Sequence, residues 1–272
     1  MRGPPRPRQP DRATGTRAAR CKAQPKQVSS EAGLGGVTGQ GHSCGAVPPN
    51  AEWDTRGMRS HLLETLDEDE QREVLAAARR RRFKRNEVVF HDGDPADTLH
   101  LVVEGHFAIR LTTPLGDQAM VRVFGPADYF GELAMLSAGP RHGSAISLDG
   151  GETMSVHRDD FDALRAKRPK INEMLTGALV AEVRRLSAAL IEALYVPVER
   201  RIWLRLIDLV ELFGGDGPVV IPLTQDDIAQ LAGTTRPTAN RVLKGAEEQG
   251  VLRLARGRIE VHDRTALRRL AH

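Results

Sequence analysis

The chain has 272 residues, of which 40% are hydrophobic and 28% are charged, and its formal net charge is +3. This length and apolar content suit two domains of ordinary size, and the absence of any apolar run of 18 residues predicts a soluble, cytoplasmic protein without a membrane span. The two cysteines, Cys21 and Cys44, are too few for a disulfide framework, a structural zinc site or an iron–sulfur cluster.

Residues 1–57 form a leader that is rich in Pro, Gly, Arg and Ser. This composition predicts disorder, because it buries too little apolar surface to offset the entropy of the chain. The Arg-rich start suits an organellar transit peptide or a nucleic-acid arm, yet it lacks an amphipathic period. A plain tail, or a start codon assigned too early with Met58 as the true start, is therefore the preferred interpretation.

Residues 81–157 contain short β-branched apolar runs that are separated by glycines, namely Gly93, Gly105, Gly116, Gly125 and Gly131. Strands of about five to eight residues between glycine turns are typical of an antiparallel barrel or roll. The preceding residues 61–78 repeat apolar side chains at helical spacing, which predicts one or two short helices over one end of the roll.

A long helix is predicted from Pro169 to about Val196. Its apolar residues recur at alternating spacings of four and three, at Leu179, Val183, Leu186, Leu190 and Ala193. A helix that packs on its own domain is the alternative, but a stripe of two positions per heptad favours two parallel copies. The sequence thus predicts a dimerisation helix over residues 169–196.

The C-terminal residues 197–272 begin with an amphipathic helix and continue with a helix-turn-helix pattern. Thr224 and Asp227 have the spacing of a capping box, Gly233 supplies the turn, and Thr235 is placed to cap a second helix. The runs "VLRLA" and "RIEVH", joined through Gly257, predict a wing hairpin.

The second helix of this pattern carries a polar stripe that is predicted to be exposed. The stripe consists of Arg236, Asn240 and Lys244 with Arg241 beside them, whereas Ala239, Val242 and Leu243 point to the core. Arginine donors match the guanine acceptors of the major groove. A solvated surface face is the alternative, and the helix-turn-helix context favours DNA.

The segment "FGELAMLSAGPRHGS", residues 130–144, places Glu132 and Arg141 among apolar neighbours. Buried charges are costly unless they are paired, so the two side chains either neutralise each other or bind a ligand between them. Backbone N–H groups at the glycine turn, together with Arg141, suit a phosphodiester, and Glu132 can accept a hydrogen bond from a ribose hydroxyl.

Three features in this order resemble the bacterial cyclic-AMP receptor protein and FNR regulators, the Crp/Fnr family, over residues 58–272. They are the roll with "FGELAML" and "GPRHGSAISL", the long helix, and "TQDDIAQLAGTTRPTANRVLK" with its wing. The resemblance implies an α+β fold with a cyclic-nucleotide-binding β-roll over residues 58–168, the dimerisation helix, and a winged helix-turn-helix domain over residues 197–272. It also implies a homodimer, a palindromic duplex DNA site, RNA polymerase as a further partner, and cyclic AMP as effector.

The resemblance assigns the effector site to a phosphate cassette and to two positions on the long helix. The cassette comprises Gly131, Glu132, Leu133, Arg141 and His142. His142 and Gly143 stand where Ser or Thr and then Ala are common in the family, and a histidine ring nitrogen can still donate to a phosphate. Leu186 and Ser187 correspond to the hydroxyl pair that reads adenine, and Leu186 cannot hydrogen-bond to an amine. The same regulator with another effector, or with none, is therefore the alternative.

For DNA, the resemblance assigns base contacts to Arg236 and Arg241. It assigns phosphate contacts to Thr224, Thr235, Thr238 and Lys244. Pro237 stands where an acidic base reader is found in the founding member, so the half-site should differ or be relaxed at one base pair.

Other classes of protein fit the sequence less well. His91, His100, Glu104 and His106 lack the spacing of a cupin metal site, and haem ligation has no specific support. A cyclic-nucleotide module of a kinase or channel would not need the helix-turn-helix. The sequence contains no nucleophile elbow or phosphate loop, so we predict a non-enzymatic protein without a metal.

Overall fold

The computed structural model describes residues 60–113, 116–137, 139–215 and 217–271. The predictions for residues 1–57, for Met58 and for both cysteines lie outside these ranges. The N-terminal half comprises α1 (Glu68–Ala77), β1 (Arg79–Phe83), β2 (Val88–Phe90), β3 (Thr98–Thr112), β4 (Gln118–Phe124), β5 (Tyr129–Phe130), a 3-10 helix (Glu132–Met135) and β6 (Ser144–His157). The remainder comprises α2 (Arg158–Lys167), α3 (Lys170–Tyr195), α4 (Val198–Phe213), β7 (Val219–Ile221), α5 (Gln225–Leu231), α6 (Arg236–Glu248), β8 (Leu252–Ala255), β9 (Arg258–Val261) and α7 (Arg264–Leu270).

The predicted roll is an antiparallel sheet in the order β1-β6-β3-β4, with β2 paired to β6 and β5 paired to β3. The prediction of uniformly short strands is wrong for β3 and β6, which have 15 and 14 residues. Gly105 was expected to separate strands, but it lies within β3 and pairs with Gly151. A Cβ on Gly105 would lie 1.9 Å from the Gly150 carbonyl oxygen, so these glycines let two long strands bend together without losing the ladder.

One end of the roll is covered by α1, α2 and the start of α3, which share a core with β3 and β6. The predicted short helix is α1, and a capping box between Asp67 and Glu70 fixes its start. The first turns of α3 bury Ile171, Met174 and Leu175 in this core. The long helix thus begins on the roll and continues beyond it.

The C-terminal residues form the predicted winged helix-turn-helix. Helices α5 and α6 are joined by a turn in which Gly233 has a φ of 61°, and β8 and β9 form the wing. The strand β7, which the sequence analysis did not identify, pairs with β9 and makes the sheet three-stranded. No helix in the described part of the chain has the length and apolar character needed to cross a membrane.

Candidate functional site

A cavity of about 270 Å³ lies between the β-roll and α3. The predicted residues Gly131, Glu132, Leu133, Arg141 and His142 all line it, and so does Leu186 of α3. Ser187 does not: its side chain is exposed, and its hydroxyl donates to the Val183 carbonyl at 2.8 Å. The structure therefore brings the cassette residues together around one space and places Ser187 outside it.

Gly131 is required by the geometry of the cassette. Its φ of 82° lies in the left-handed region, and it directly precedes the 3-10 helix that begins at Glu132. A Cβ at this position would lie 2.9 Å from Arg141 Nη1 and 3.0 Å from the Thr98 carbonyl oxygen. Any side chain here would strain the turn and displace the guanidinium.

Arg141 is the buried cation of the cavity, and only 5% of its surface is exposed. Its Nη2 donates to Thr98 Oγ1 at 2.7 Å, its guanidinium lies 4.0 Å above the Phe90 ring centroid, and Asp97 Oδ1 is 3.8 Å from Nη2. Its Nε is buried and has no hydrogen-bond partner among the described residues. Burial lowers the pKa of Arg141, but a guanidinium stays charged at neutral pH.

Glu132 and Arg141 do not pair with each other: among the described residues, the carboxylate within ion-pair distance of Arg141 is Asp97. Burial raises the pKa of the Glu132 carboxyl above its usual value. Of the two alternatives left by the sequence, the mutual ion pair is not formed. Two unlike charges line one cavity and stay separate.

The sequence analysis missed the charged wall that faces the cassette. Glu182 of α3 accepts two hydrogen bonds from Arg185, at 2.9 and 2.6 Å, and one from Arg122 of β4 at 3.5 Å. All three residues line the cavity. The hydrogen bond from Arg185 lowers the pKa of Glu182. The spacing of three residues between Glu182 and Arg185 is a signal that could have identified this pair on a helix. Nothing in the sequence places Arg122 of β4 beside it.

The second candidate surface is α6. Arg236, Pro237, Arg241 and Lys244 are exposed, and Ala239, Val242 and Leu243 are buried, as predicted. Asn240 was expected to be exposed with the arginines, but it is half-buried, and its Oδ1 is enclosed without a partner among the described residues.

The two threonines at the helix starts behave differently from each other. Thr224 forms the predicted capping box with Asp227 at the start of α5. Thr235 occupies the N-cap position of α6, but its side chain makes no capping bond, and its hydroxyl lies 3.1 Å from that of Thr238. Thr238 is half-buried. Thr235 is therefore the N-cap residue, as predicted, but its side chain does not supply the capping hydrogen bond.

Two of the histidines weighed as metal ligands, His100 and His106, have other partners. His100 is fully buried, and its Nδ1 lies 3.0 Å from Thr153 Oγ1. The Nδ1 atom of His106 lies 2.7 Å from Asp149 Oδ2. No three His, Cys, Asp or Glu side chains are grouped to hold a metal within the described ranges.

Comparisons with known proteins match both halves of this architecture. Residues 80–168 match the family model of the cyclic nucleotide-binding domain, and residues 200–270 match that of the Crp-like helix-turn-helix domain. A "CRP-like cAMP-activated global transcriptional regulator" of Mycobacterium tuberculosis is 33% identical over 70% of this chain and 86% of its own length.

Two further proteins extend the comparison. A "Cyclic AMP receptor protein" of Thermus thermophilus is 29% identical over 78% of this chain and 97% of its own length. The solved structure of FixK2 from Bradyrhizobium japonicum shares the fold, with a TM-score of 0.61 at 20% identity over 72% of this chain and 98% of that one. With a cyclic nucleotide-binding domain followed by a DNA-binding helix-turn-helix domain, the chain belongs to the Crp/Fnr family of transcription regulators.

Proposed function

We propose that this regulator is controlled by a cyclic nucleotide bound in the cavity of the β-roll, with cyclic AMP as the effector. The observation that carries the proposal is Arg141, a buried cation on the cavity wall whose Nε has no partner among the described residues. A buried charge is costly unless it is paired, and an anionic phosphodiester in the cavity supplies the opposite charge and acceptors for the guanidinium.

Glu132 supplies the second polar contact of the proposed site. It lies one residue after Gly131 and lines the same cavity as Arg141. A ribose hydroxyl can donate to this carboxylate while the phosphate of the same ligand accepts from Arg141. One nucleotide thereby satisfies two charges that do not satisfy each other.

Cyclic AMP is favoured over other effectors because the two relatives above are named for it. Leu186 gives the base an apolar neighbour, and the carboxylate of Glu182 is an acceptor that suits an exocyclic amine. Arg122 and Arg185 also line the cavity and suit a base with acceptor groups. Cyclic GMP is therefore the second candidate, and the test includes both nucleotides.

The active form is proposed to be a dimer formed through α3. Beyond its buried start, this helix exposes Val183 at 62%, Leu186 at 49% and Leu190 at 61%. Apolar residues so exposed on one helix favour burial against a second copy. Ser187 lies on this exposed part of α3, where it can contact a nucleotide bound in the other copy.

The proposed DNA contacts are those of α6 and its flanks. Arg236 and Arg241 are exposed and free to read guanine, and Lys244, Thr224, Thr235 and Thr238 are proposed to contact phosphates. In a dimer, two such helices would enter successive major grooves about 34 Å apart. RNA polymerase as a partner stays a prediction.

Isothermal titration calorimetry tests the effector. The parent should bind cyclic AMP more tightly than cyclic GMP, and Arg141→Ala should lose binding because it removes the cation of the cassette. Arg72→Ala, which removes an exposed arginine of α1, is the charge control and should bind like the parent. Equal affinity of Arg141→Ala and the parent would place the effector elsewhere or show that there is none.

A further inference from the structure

We propose that His100 is a positioning residue for the nucleotide site, because it orients the Thr98 hydroxyl that holds Arg141. His100 lies on β3 beneath the cassette and does not line the cavity. The effect of His100 on nucleotide binding rests on the proposed function. The series of hydrogen bonds itself is a property of the free protein.

Three side chains continue from Arg141 into the interior of the roll. Arg141 Nη2 lies 2.7 Å from Thr98 Oγ1, which lies 3.3 Å from His100 Nε2. On the far side of the ring, Nδ1 lies 3.0 Å from Thr153 Oγ1. These hydrogen bonds therefore join Arg141 on the cavity wall, through Thr98 and His100 of β3, to Thr153 of β6.

The chemistry of the guanidinium sets the direction of every bond in this chain. A guanidinium only donates, so Thr98 Oγ1 accepts from Arg141, and its own proton needs another acceptor. The only other side-chain partner of Thr98 Oγ1 among the described residues is His100 Nε2. This nitrogen must then be unprotonated, and the proton on Nδ1 is donated to Thr153.

The surroundings of His100 favour this neutral tautomer. Its ring is fully buried and stacks on Phe130, with centroids 5.1 Å apart and planes within 7°. Burial, reinforced by the positive charge of Arg141, lowers the pKa of His100 to about 3. The imidazole is thus neutral over the physiological range, and it offers an acceptor to Thr98 without adding a second cation beside Arg141.

Without His100, the Thr98 hydroxyl would have no acceptor, and its hydrogen would turn toward the guanidinium. Arg141 would lose a fixed partner on one side, while Gly131 and Phe90 confine it on the others. A less ordered cation binds a phosphate less tightly, because the cost of ordering it falls on the binding step.

The first arm of the test is NMR of the free protein with ¹⁵N-labelled histidine and arginine. The spectra should show His100 neutral, with the proton on Nδ1, from pH 5 to pH 8. Restricted rotation of the Arg141 guanidinium in the parent should be lost in His100→Phe. A proton on Nε2, a charged ring, or a guanidinium that moves equally in both proteins would overturn the proposal, whether or not any nucleotide binds.

The second arm measures cyclic AMP affinity in a double-mutant cycle. His100→Phe keeps the ring stack and Thr98→Val removes the hydroxyl, and each should weaken binding about tenfold, as expected for one hydrogen bond to a charged group. Because the residues act in series, the double variant should be no weaker than Thr98→Val alone. Thr98→Ser should restore most of the affinity. Ser155→Ala should have no effect, because it removes a buried hydroxyl of β6 that bonds to the Arg79 carbonyl and takes no part in this series of hydrogen bonds.

The outcomes separate this proposal from the proposed function. A parent that binds neither nucleotide defeats the effector assignment and leaves the NMR arm to decide the role of His100. A parent that binds cyclic AMP while His100→Phe binds it equally well, or with losses that add to those of Thr98→Val, defeats the positioning role. If His100→Phe does not fold, the affinities of Thr98→Val and Thr98→Ser and the His100 tautomer measured by NMR in the parent decide the role of His100.

Discussion

Two glycines determine how closely the cassette packs on β3. Gly131 leaves room for the guanidinium of Arg141, and Gly143 leaves room for β3 itself, since a Cβ there would lie 2.6 Å from Leu111 Cδ2. A Cβ on Gly143 would also meet the Arg110 carbonyl oxygen at 2.8 Å. An alanine at this position therefore does not fit this chain without a shift of the backbone.

Gly131→Ala should nearly abolish nucleotide binding and destabilise the protein by about 1–2 kcal/mol, the cost of a left-handed conformation for a residue with a Cβ. The added methyl also meets Arg141 Nη1. Gly139→Ala is the matched control in the same segment, because a Cβ there has open space and no left-handed φ. Calorimetric titration and urea unfolding measure both effects, and equal behaviour of the two variants would contradict the assignment.

At the scale of single residues, the sequence predicted charged groups that line the cavity and missed the residues behind them. Glu132 and Arg141 could be identified because charges among apolar residues require an explanation. Thr98 and His100 could not, since a threonine and a histidine in a strand are ordinary. Their role depends on the pairing of β3 with β6, which brings His100 beside Thr153.

Among the described elements, α3 carries the most exposed large apolar residues. Its predicted span matches Lys170–Tyr195, because Pro169 and Pro197 delimit it. The predicted stripe is only partly exposed: Leu179 is half-buried, whereas Val183, Leu186, Leu190 and Ala193 are exposed. The exposed apolar set is wider than two positions per heptad and also includes Val180, Ile191, Leu194 and Tyr195. Spacing alone could not reveal this width, because it depends on where the roll ends.

Val183→Asp combined with Leu190→Asp should convert the dimer into folded monomers. Both side chains are more than 60% exposed in the single chain, so the charges should not disturb its core. Ala181→Asp introduces a charge at an exposed position on the opposite face of α3 and should stay dimeric. Sedimentation velocity distinguishes the two, and an unchanged coefficient in the double variant would refute a dimer through this face.

Helix α6 provides a test of base reading at its first turn. Pro237 is exposed there, and α6 has no acidic residue in its first turn. Pro237→Glu should raise the preference for a cytosine in each half-site, because a carboxylate accepts from cytosine N4 and is favoured at a helix N-terminus. Selection from random duplexes measures this preference. A selected motif identical to that of the parent would show that residue 237 does not face the groove.

Comparing variants of Lys244 with variants of Arg236 and Arg241 distinguishes phosphate contacts from base contacts. Lys244→Ala should weaken binding to all sequences alike. It should also reduce the slope of log affinity against log salt concentration by about one unit. Arg236→Ala and Arg241→Ala should each cost about 1–3 kcal/mol and relax the choice at one base pair. If an Arg variant weakened binding to all duplex sequences equally, that arginine would be assigned to a phosphate contact and not to a base contact.

Local signals predicted most helices, whereas the long strands depended on tertiary structure. The capping box of Thr224 and Asp227 and the turn at Gly233 are contained within ten residues, so the sequence alone indicated them. The lengths of β3 and β6 were missed because glycine ordinarily ends a strand. Here Gly105 and Gly151 face each other across the pair, and only the paired structure shows that both strands continue.

At the scale of the whole molecule, the β-roll and the winged helix share one hydrophobic cluster. Ala108, Met120 and Leu148 of the roll pack with residues of α4, α5 and α6. His106 of β3 stacks on Phe213 with ring centroids 3.8 Å apart, and Arg110 Nη2 donates to Asp227 Oδ1 at 2.8 Å. Ile109 and Leu111 line the cavity, so consecutive residues of β3 contact the cavity and the helix-turn-helix domain.

The ion pair between Arg110 and Asp227 should therefore stabilise the whole molecule. Only 28% and 11% of the two side chains are exposed, and Asp227 also forms the capping box of α5. Arg110→Met leaves the carboxylate without its partner and should cost about 1–3 kcal/mol of unfolding free energy. A double-mutant cycle with Asp227→Asn should give a coupling of about 1–2 kcal/mol.

The matched control is the ion pair between Arg268 and Glu211, which has a similar separation of 3.2 Å. Its side chains are 63% and 62% exposed and both lie in the winged helix, so water and salt screen their attraction and the same cycle should give a coupling of about 0–1 kcal/mol. Urea unfolding at one fixed protein concentration measures both cycles, since the stability of a dimer depends on concentration. Equal couplings for the two pairs would show that the contact of β3 with α5 adds nothing beyond a surface ion pair. A larger coupling for Arg110 and Asp227 would establish this contact as a stabilising link between β3, which lines the cavity, and α5, the helix that precedes α6.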